Sequence, residues 1–354
     1  MKLFLFSGSR DIIRKSGVGQ AMVHQERALA GSEVAITIDP KDDYDLVHIN
    51  TVFLDSYLCA KYVQRHDKPI VYHAHSTEED FRNSFKGSNF AAKFFRIWIK
   101  QCYNTGDLLI TPTNYSKRLI EAYGIKSPIR VLTNGIDTAN YNRNDGWGRE
   151  FREKYGYSAT DKVVMSVGMM IERKGILDFI EMAWAMPEYQ FIWFGHSNSW
   201  AIPKKIVKGI NHKPPNLTFA GFVEQFELKK AYSGADVFMF MSKEETEGIV
   251  VLEALAMEIP ILVRDIPVYA DWLQEGVNAY LARDFKEFSQ KLEQILNQEL
   301  PDLTANGRKT ALEKDISETG KQLVAIYKEA IALHEKKASA RRRQAAKKID
   351  RTAE

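Results

Sequence analysis

Residues 243–260 read KEETEGIVVLEALAMEIP, and the two glutamates set eight apart around a single glycine, Glu245 and Glu253 about Gly248, decide how this region folds. On one unbroken helix, rising about 1.5 Å per residue, the two carboxylates would stand roughly 12 Å apart. They would then share no small group. The preceding run ADVFMFMS, residues 235–242, has the apolar character of a short buried strand, whereas IVVLEALAM after Gly248 has the pattern of a helix. Gly248 therefore marks a loop closing into a helix N-terminus. This geometry places Glu245 at the strand exit and Glu253 on the second helical turn. Both would face a crevice at the carboxyl edge of a sheet, where open α/β sheets bind ligands.

Outward from this stretch, short apolar runs alternate with helical patterns in both directions. KVVMSVG, YQFIWFG, LTFAGF, DVFMFMS and PILV form one series, and LFLFSGS, EVAITID, DLVHIN, PIVYHAH, LLITPT and IRVLTNG an earlier one. Strands separated by helices of this length predict βαβ units and parallel sheets. The expected architecture is α/β, two doubly wound domains in tandem, residues 1–150 and 158–315. The polar stretch 145–158, with Gly146, Gly148 and Gly156, reads as the joint between them. Leu323, Ile326, Tyr327, Ala330, Ile331 and His334 recur at helical spacing and predict an amphipathic helix over 316–335. The remainder, 336–354, has almost nothing to bury and is expected to be a mobile basic tail.

A chain of 354 residues with 45% hydrophobic content has enough material for two cores. LFLF near the N-terminus is too short for a signal-peptide core, and no apolar run approaches the length of a membrane span, so a cytoplasmic protein is expected. Cys59 and Cys102 lack CxxC spacing and read as inert thiols. The net charge of +3 conceals an uneven distribution: +4 over residues 1–157, −7 over 158–335 and +6 over 336–354. An anionic partner is expected for the first half and the tail.

In SVGMMIERKG, residues 166–175, a strand ends at Gly168 and Arg173, Lys174 and Gly175 precede a new helix. Two adjacent cations beside a helix N-terminus suit a diphosphate whose charge is neutralised without metal. Taken alone, the stretch is equally a solvated basic loop. SGVGQA, residues 16–21, opens the first helix with Gly17 and Gly19, whose bare backbone N–H groups can approach phosphate oxygens.

Together these stretches resemble the retaining glycosyltransferases of the GT-B fold known as family 4 (glycosyl transferases group 1). The most specific marker is Glu, seven residues, Glu, then Ala and Pro: Glu245, Glu253, Ala254 and Pro260. GVG at 17–19, TNGID at 133–137, ERKG at 172–175 and NLTFAGFV at 216–223 support it. The resemblance implies two Rossmann-like domains facing across a cleft, with a nucleotide-sugar held mostly by the second. It implies donor-binding roles for Gly17, Gly19, Arg173, Lys174, Glu245, Gly248, Ile249 and Glu253. Arg173 and Lys174 would grip the diphosphate, Glu253 the ribose hydroxyls, and Glu245 would lie near the transferred sugar. The two glutamates would thus address two parts of one long ligand. A hydrolase pair would need its carboxyls about 5–9.5 Å apart. The expected co-substrate is UDP-glucose or UDP-galactose, with no cofactor and no metal; Asp42, Asp43 and Asp45 read as a surface turn.

VYHAHSTEEDF carries His73 and His75, and the resemblance aligns His75 with a histidine contacting the donor sugar, leaving His73 as a packed strand residue. The expected catalytic set is His75, Glu245, Arg173 and Lys174. Three departures from the family pattern are Glu247 at a usually apolar place, Glu258 for a usual glycine, and His196-Ser197 after Gly195.

SNFAAKFFRIWIKQCY, residues 88–103, bears on the acceptor. With Phe90 at 0° and about 100° per residue, Lys93, Arg96 and Lys100 fall between roughly 240° and 300° beside a wide aromatic face. A basic stripe beside such a face suits a helix at an anionic membrane surface, with Lys93, Arg96, Trp98 and Lys100 facing it. An ordinary domain helix with a buried apolar side is the competing reading. The chain further resembles Gram-positive enzymes that add hexose to diacylglycerol or monoglucosyl-diacylglycerol, and FSGSRDIIRKSGVGQA resembles the second-sugar type. That implies a lipid acceptor and a peripheral place on the inner face of the cell membrane. Rival readings are a family member with a soluble or polymeric acceptor, a phosphorylase or epimerase, and a nucleic-acid-binding protein. RRRQAAKK lacks the interleaved aromatics the last would use, so no nucleic-acid partner is expected.

Overall fold

Runs such as VVMSV and VFMF are rich in β-branched and aromatic residues and are buried on both faces, which is the pattern of interior parallel strands. The computed structural model describes residues 1–350 apart from 10–12, 14, 15 and 199, with side chains to residue 344. It divides into two units. One comprises Met1–Thr77, Arg96–Thr133 and Ser317–Glu354, the other Glu78–Phe95 and Asn134–Ile316.

The first unit holds β1 (Lys2–Phe6), β2 (Ala35–Thr37), β3 (Leu46–Ile49), β4 (Ile70–His73), β5 (Leu108–Thr111) and β6 (Ile129–Val131), all parallel in the order β2-β1-β3-β4-β5-β6. The second holds β7 (Val163–Val167), β8 (Gln190–Phe194), β9 (Leu217–Gly221), β10 (Val237–Phe240), β11 (Ile261–Arg264) and β12 (Tyr280–Ala282), all parallel in the order β12-β11-β10-β7-β8-β9. The chain winds outward from β7 through β8 to β9, then returns beside β7 with β10 and winds the other way. The strand order therefore reverses between β7 and β10, paired through Val164↔Val237 and Met165↔Phe238. A crevice at the carboxyl ends of those two strands is the place such a sheet offers a ligand.

Each sheet has its own core. Phe179, Phe191, Trp193, Met239 and Phe288 pack around the second sheet. Leu3, Leu46, Val71, Leu108 and Ile110 pack in the first, joined by Leu323, Ile326, Tyr327 and Ala330 from the last helix.

The joint expected over 145–158 is instead a helix, Asp145–Tyr155, in the second unit. Asn144 caps it by accepting from Trp147 N–H, and Gly156, at φ 74°, stops it. Gly148 is no loop signal: a Cβ there would come within 2.8 Å of the Ser233 carbonyl, so this helix packs with backbone contact on Gln225–Gly234. The second departure is at the C-terminus, where one helix runs Ile316–Asp350 past the break expected after residue 335. Its Ala, Arg, Lys and Gln residues favour helix even with little to bury. The last four residues of the expected tail lie outside the described residues, as do Arg10, Asp11, Ile12, Arg14 and Lys15 of the N-terminal motif. Among the described residues no helix is long and apolar enough to cross a membrane.

Candidate active site

At the reversal, β7 runs through Gly168 into a single 3-10 turn, Glu172–Lys174, closed by Gly175. Gly175 has φ 78°, and a Cβ on it would stand 2.3 Å from the Met241 carbonyl at the end of β10. Only glycine lets the two strand exits approach this closely. Lys243 N–H donates to the Arg173 carbonyl at 2.7 Å and fixes the two loops together.

That fixing sets one ion cluster. Lys174 Nζ lies 2.5 Å from Glu245 Oε1, and Ser242 Oγ donates to the same oxygen at 2.6 Å. Arg173 is 6% exposed. Its guanidinium lies 2.8 Å from Asp80, 2.8 Å from the Glu244 carbonyl and 3.8 Å from Glu245, while Nε donates to Ser84 Oγ at 3.1 Å. The adjacent cations are thus unlike: Arg173 is held on four sides, whereas Lys174 is held by one carboxylate. An ammonium has three donors, so Lys174 keeps capacity for a further acceptor. Burial by itself would raise the Glu245 carboxyl, but Lys174 and Arg173 overcome it and hold the group below its usual range. Burial lowers Lys174, with Glu245 opposing. The pair is an ion pair with its cation desolvated.

Gly248, at φ 92°, starts the helix Ile249–Ala256, so strand exit, loop and helix follow the sequence reading. A Cβ there would meet the Tyr269 hydroxyl at 3.0 Å. That hydroxyl is buried without a hydrogen-bond partner among the described residues. Glu253 is 3% exposed on the second turn. Tyr141 O–H donates to its Oε1 at 2.8 Å and Tyr232 O–H to Oε2 at 3.2 Å. Burial raises this carboxyl, against the pull of those hydroxyls and of Gln225. Two glutamates with identical chemistry therefore occupy opposite environments, Glu245 beside cations and Glu253 beside hydroxyls.

The departures from the family pattern also find physical places. Glu247 is 1% exposed and accepts from the backbone and side-chain nitrogens of Asn134, in TNGID, at 3.1 and 2.7 Å. Glu258, where glycine is usual, has φ 53°, the left-handed conformation that favours glycine. Gly195 leads into His196 at φ 127°, and a Cβ there would lie 2.0 Å from the Gly168 carbonyl.

In the first unit, Gly17 and Gly19 open the helix Gly17–Leu29, whose cap Ser16 accepts from Gly19 N–H at 3.4 Å. His75 follows β4, 7% exposed, with Nε2 3.2 Å from Asn50 Oδ1. Its ring stacks on His73 at 3.9 Å, and His73 on His48 at 5.4 Å. Burial lowers His75 and His48 to about 3 and holds His73 well below its ordinary value, so all three are neutral imidazoles. Burial also pushes the Cys59 and Cys102 thiols up to about 12, which makes both poor nucleophiles. Asp42 and Asp43 pair with Lys2 and Lys68 at the surface.

The helix Ser88–Tyr103 corrects one assignment. Trp98 is half-buried and tied to the first unit: its indole N–H donates to the Val52 carbonyl at 2.6 Å and its ring packs on Tyr57. The exposed apolar face is Phe90, Phe94 and Ile97, 83%, 65% and 58% exposed, with Lys93 and Arg96 exposed and Lys100 half-buried beside it. Sequence reading also missed Asp80, Tyr141, Tyr232 and Tyr269. Asp80 stands in the Ser-x-x-Glu-Asp-aromatic pattern after His75 but was given no role there, and its contact with Arg173, like those of the three tyrosines, is distant in the chain.

Glycosyl transferases group 1 matches residues 148–321, and Glycosyltransferase Family 4 matches residues 24–140. A processive diacylglycerol alpha-glucosyltransferase of Acholeplasma laidlawii is 42% identical over 94% of this chain and 99% of its own. An alpha-galactosylglucosyldiacylglycerol synthase of Streptococcus pneumoniae is 25% identical over 76% of this chain and 73% of its own. The crystal structure of Anabaena HepE in complex with UDP-glucose superposes with a TM-score of 0.73 at 18% identity, covering 93% of this chain and 99% of that one. With two parallel six-stranded sheets, both family models matched and 42% identity over 94% of its length to a glucosyltransferase, the chain belongs to the glycosyl transferases group 1, family 4, and is a glycosyltransferase of GT-B fold.

Proposed function

We propose that this chain transfers a hexose from UDP-glucose or UDP-galactose to a diacylglycerol-based lipid, with retention at the anomeric carbon and without a metal ion. The observation that carries the reading is the desolvated Lys174 ammonium, held by Glu245, whose carboxylate Ser242 Oγ fixes in turn, where the strand order reverses between β7 and β10. Breaking the bond from the anomeric carbon to phosphate leaves its electron pair on the departing diphosphate. A fixed cation in a dry site stabilises that charge most as it develops. In this reading Lys174 meets the diphosphate with its remaining donors, Arg173 holds the loops in place from behind, and Glu253 accepts from the ribose hydroxyls. Gly248 and Ile249 bring backbone N–H groups to the donor. From the first unit, Gly17 and Gly19 do the same and His75 meets the hexose as a neutral imidazole. The lipid acceptor is supported by the names of the two relatives and by the exposed Phe90, Phe94 and Ile97 face with its cations. It also implies a peripheral place at an anionic membrane.

The test is to incubate the protein with each labelled UDP-hexose and a lipid extract and to identify the labelled product. A labelled glycolipid is expected. Hexose 1-phosphate formed with added phosphate, an altered UDP-hexose without acceptor, or label only in soluble glycans would each overturn the lipid-transferase reading. Lys174→Gln should lower turnover roughly 10²–10³-fold at saturating donor, because its charge acts on the leaving group. Wild-type turnover in that variant would remove Lys174 from the chemistry.

A further inference from the structure

Trp200 is the most exposed aromatic residue of the second sheet's loops, at 75%, and no catalytic or donor role accounts for it. It borders an open groove of about 490 Å³ lined by Lys86, Lys204 and Lys208 together with Ile202 and Val207. The groove is built, not incidental. Lys86 N–H donates to the Ala201 carbonyl at 2.9 Å and its ammonium to the Trp200 carbonyl at 2.7 Å, so two distant segments of one unit share this surface. On the helix Lys204–Asn211, Ile206 is buried, which turns Lys204 and Lys208 outward one turn apart. Gly209 lets that helix sit close on Leu177, so the lysines stand on a rigid platform. Their neighbour Lys205 is paired with Glu172 at 2.6 Å, whereas Lys86, Lys204 and Lys208 have no carboxylate partner among the described residues.

Three unneutralised ammonium groups around an exposed indole are matched by an anionic surface with an apolar interior just beneath it. The chain beside Lys86 agrees: Phe85 is 39% exposed and belongs to the same unit. Phenyl rings offer nothing to a polar polyanion but gain from an acyl-chain boundary. We propose that Trp200 with Lys86, Lys204 and Lys208 is a docking surface of the second unit for an anionic phospholipid bilayer, additional to the Phe90, Phe94 and Ile97 face. It rests on the lipid-acceptor reading.

Flotation of the full chain with zwitterionic vesicles and with vesicles containing anionic phospholipid tests it. Lys86, Lys204 and Lys208 all changed to Gln should lose roughly tenfold or more of the partitioning to anionic vesicles at low salt, and the difference should vanish at high salt. Trp200→Ala should lose partitioning at both salt levels. Quenching of tryptophan emission by brominated phospholipid should fall in Trp200→Phe. Transfer to a detergent-dispersed acceptor should be unchanged in all three. If the wild type floats, a Phe90, Phe94 and Ile97 to Ser variant does not, and the Trp200 and lysine variants float like wild type, this surface is not a docking site while the lipid reading stands. Wild-type protein that floats with no vesicle would overturn both.

Discussion

Three histidines show how single residues set a pH limit in this molecule. His48, His73 and His75 stack in the first unit, and the groups facing them, Gln25, Asn50 and Tyr327, are all uncharged. Among the described residues, no carboxylate faces the stack to stabilise an imidazolium, and the ring nitrogens of His73 have no hydrogen-bond partner. A histidine lowered from 6.5 to about 3 binds fewer protons folded than unfolded, so its neutrality carries no penalty above about pH 6.5. Below that, the unfolded chain gains protons that the folded one refuses, and stability falls progressively toward pH 3. Melting temperature should therefore decline from pH 7 to pH 5, and His73→Phe, which keeps a ring and removes one refused proton, should make the decline shallower. A flat wild-type profile over that range would mean that the stack accepts protons. The pairing of His73 with His75 was legible in the sequence because a strand puts alternate residues on one face. The stack onto His48 was not, since β3 and β4 meet only through tertiary register.

At the scale of elements, the helix Ser88–Tyr103 shows what periodicity does and does not carry. The helical wheel correctly sets Lys93, Arg96 and Lys100 together, but it places Trp98 within the same aromatic arc as Phe94. The structure divides that arc because the helix Leu54–Arg65 presents Tyr57 to one side of it. Which part of a wide apolar face is core depends on the neighbouring element, and a single helix contains no information on it. The same blindness made Gly148 read as part of a joint when it permits close helix packing. The strand exits at Gly168 and Ser242 were legible because glycine, short apolar runs and charge change coincide there. Trp98→Ala should cost about 3 kcal/mol, since it removes a packed indole and a hydrogen bond to Val52. Phe94→Ser, on the exposed face, should stay within about 0.5 kcal/mol of wild type. Chemical denaturation of the two variants distinguishes these outcomes, and equal stabilities would return Trp98 to the exposed face.

For the whole molecule, the last helix determines what counts as a unit. Ile316–Asp350 follows the second sheet in sequence, yet Leu323, Ile326, Tyr327 and Ala330 lie in the core of the first. Gly320 admits the backbone of Ala28, where a Cβ would be 2.0 Å from its carbonyl oxygen. Tyr327 O–H is 2.7 Å from His48, His334 Nδ1 is 2.9 Å from Asp107, and Lys337 Nζ is 3.1 Å from the same carboxylate. Asp107 also accepts from Ile70 N–H at 3.1 Å, which ties this contact to the start of β4. The first sheet therefore cannot complete its core from residues that precede the second. A chain ending at residue 315 would lose those four buried side chains. At roughly 1.5–3 kcal/mol for each large one, the loss is comparable with a domain's whole stability of about 5–15 kcal/mol. Hydrogen exchange on such a chain should show β1, β3 and β4 losing protection while β7, β8 and β10 keep theirs. Tyr327→Phe, which retains the ring and loses only its hydrogen bonds, should lower first-sheet protection by about 1 kcal/mol without abolishing it. Full protection of β1 and β3 in the shortened chain would show that the first sheet folds without its distant helix, and equal loss in both sheets would show that the two units unfold as one.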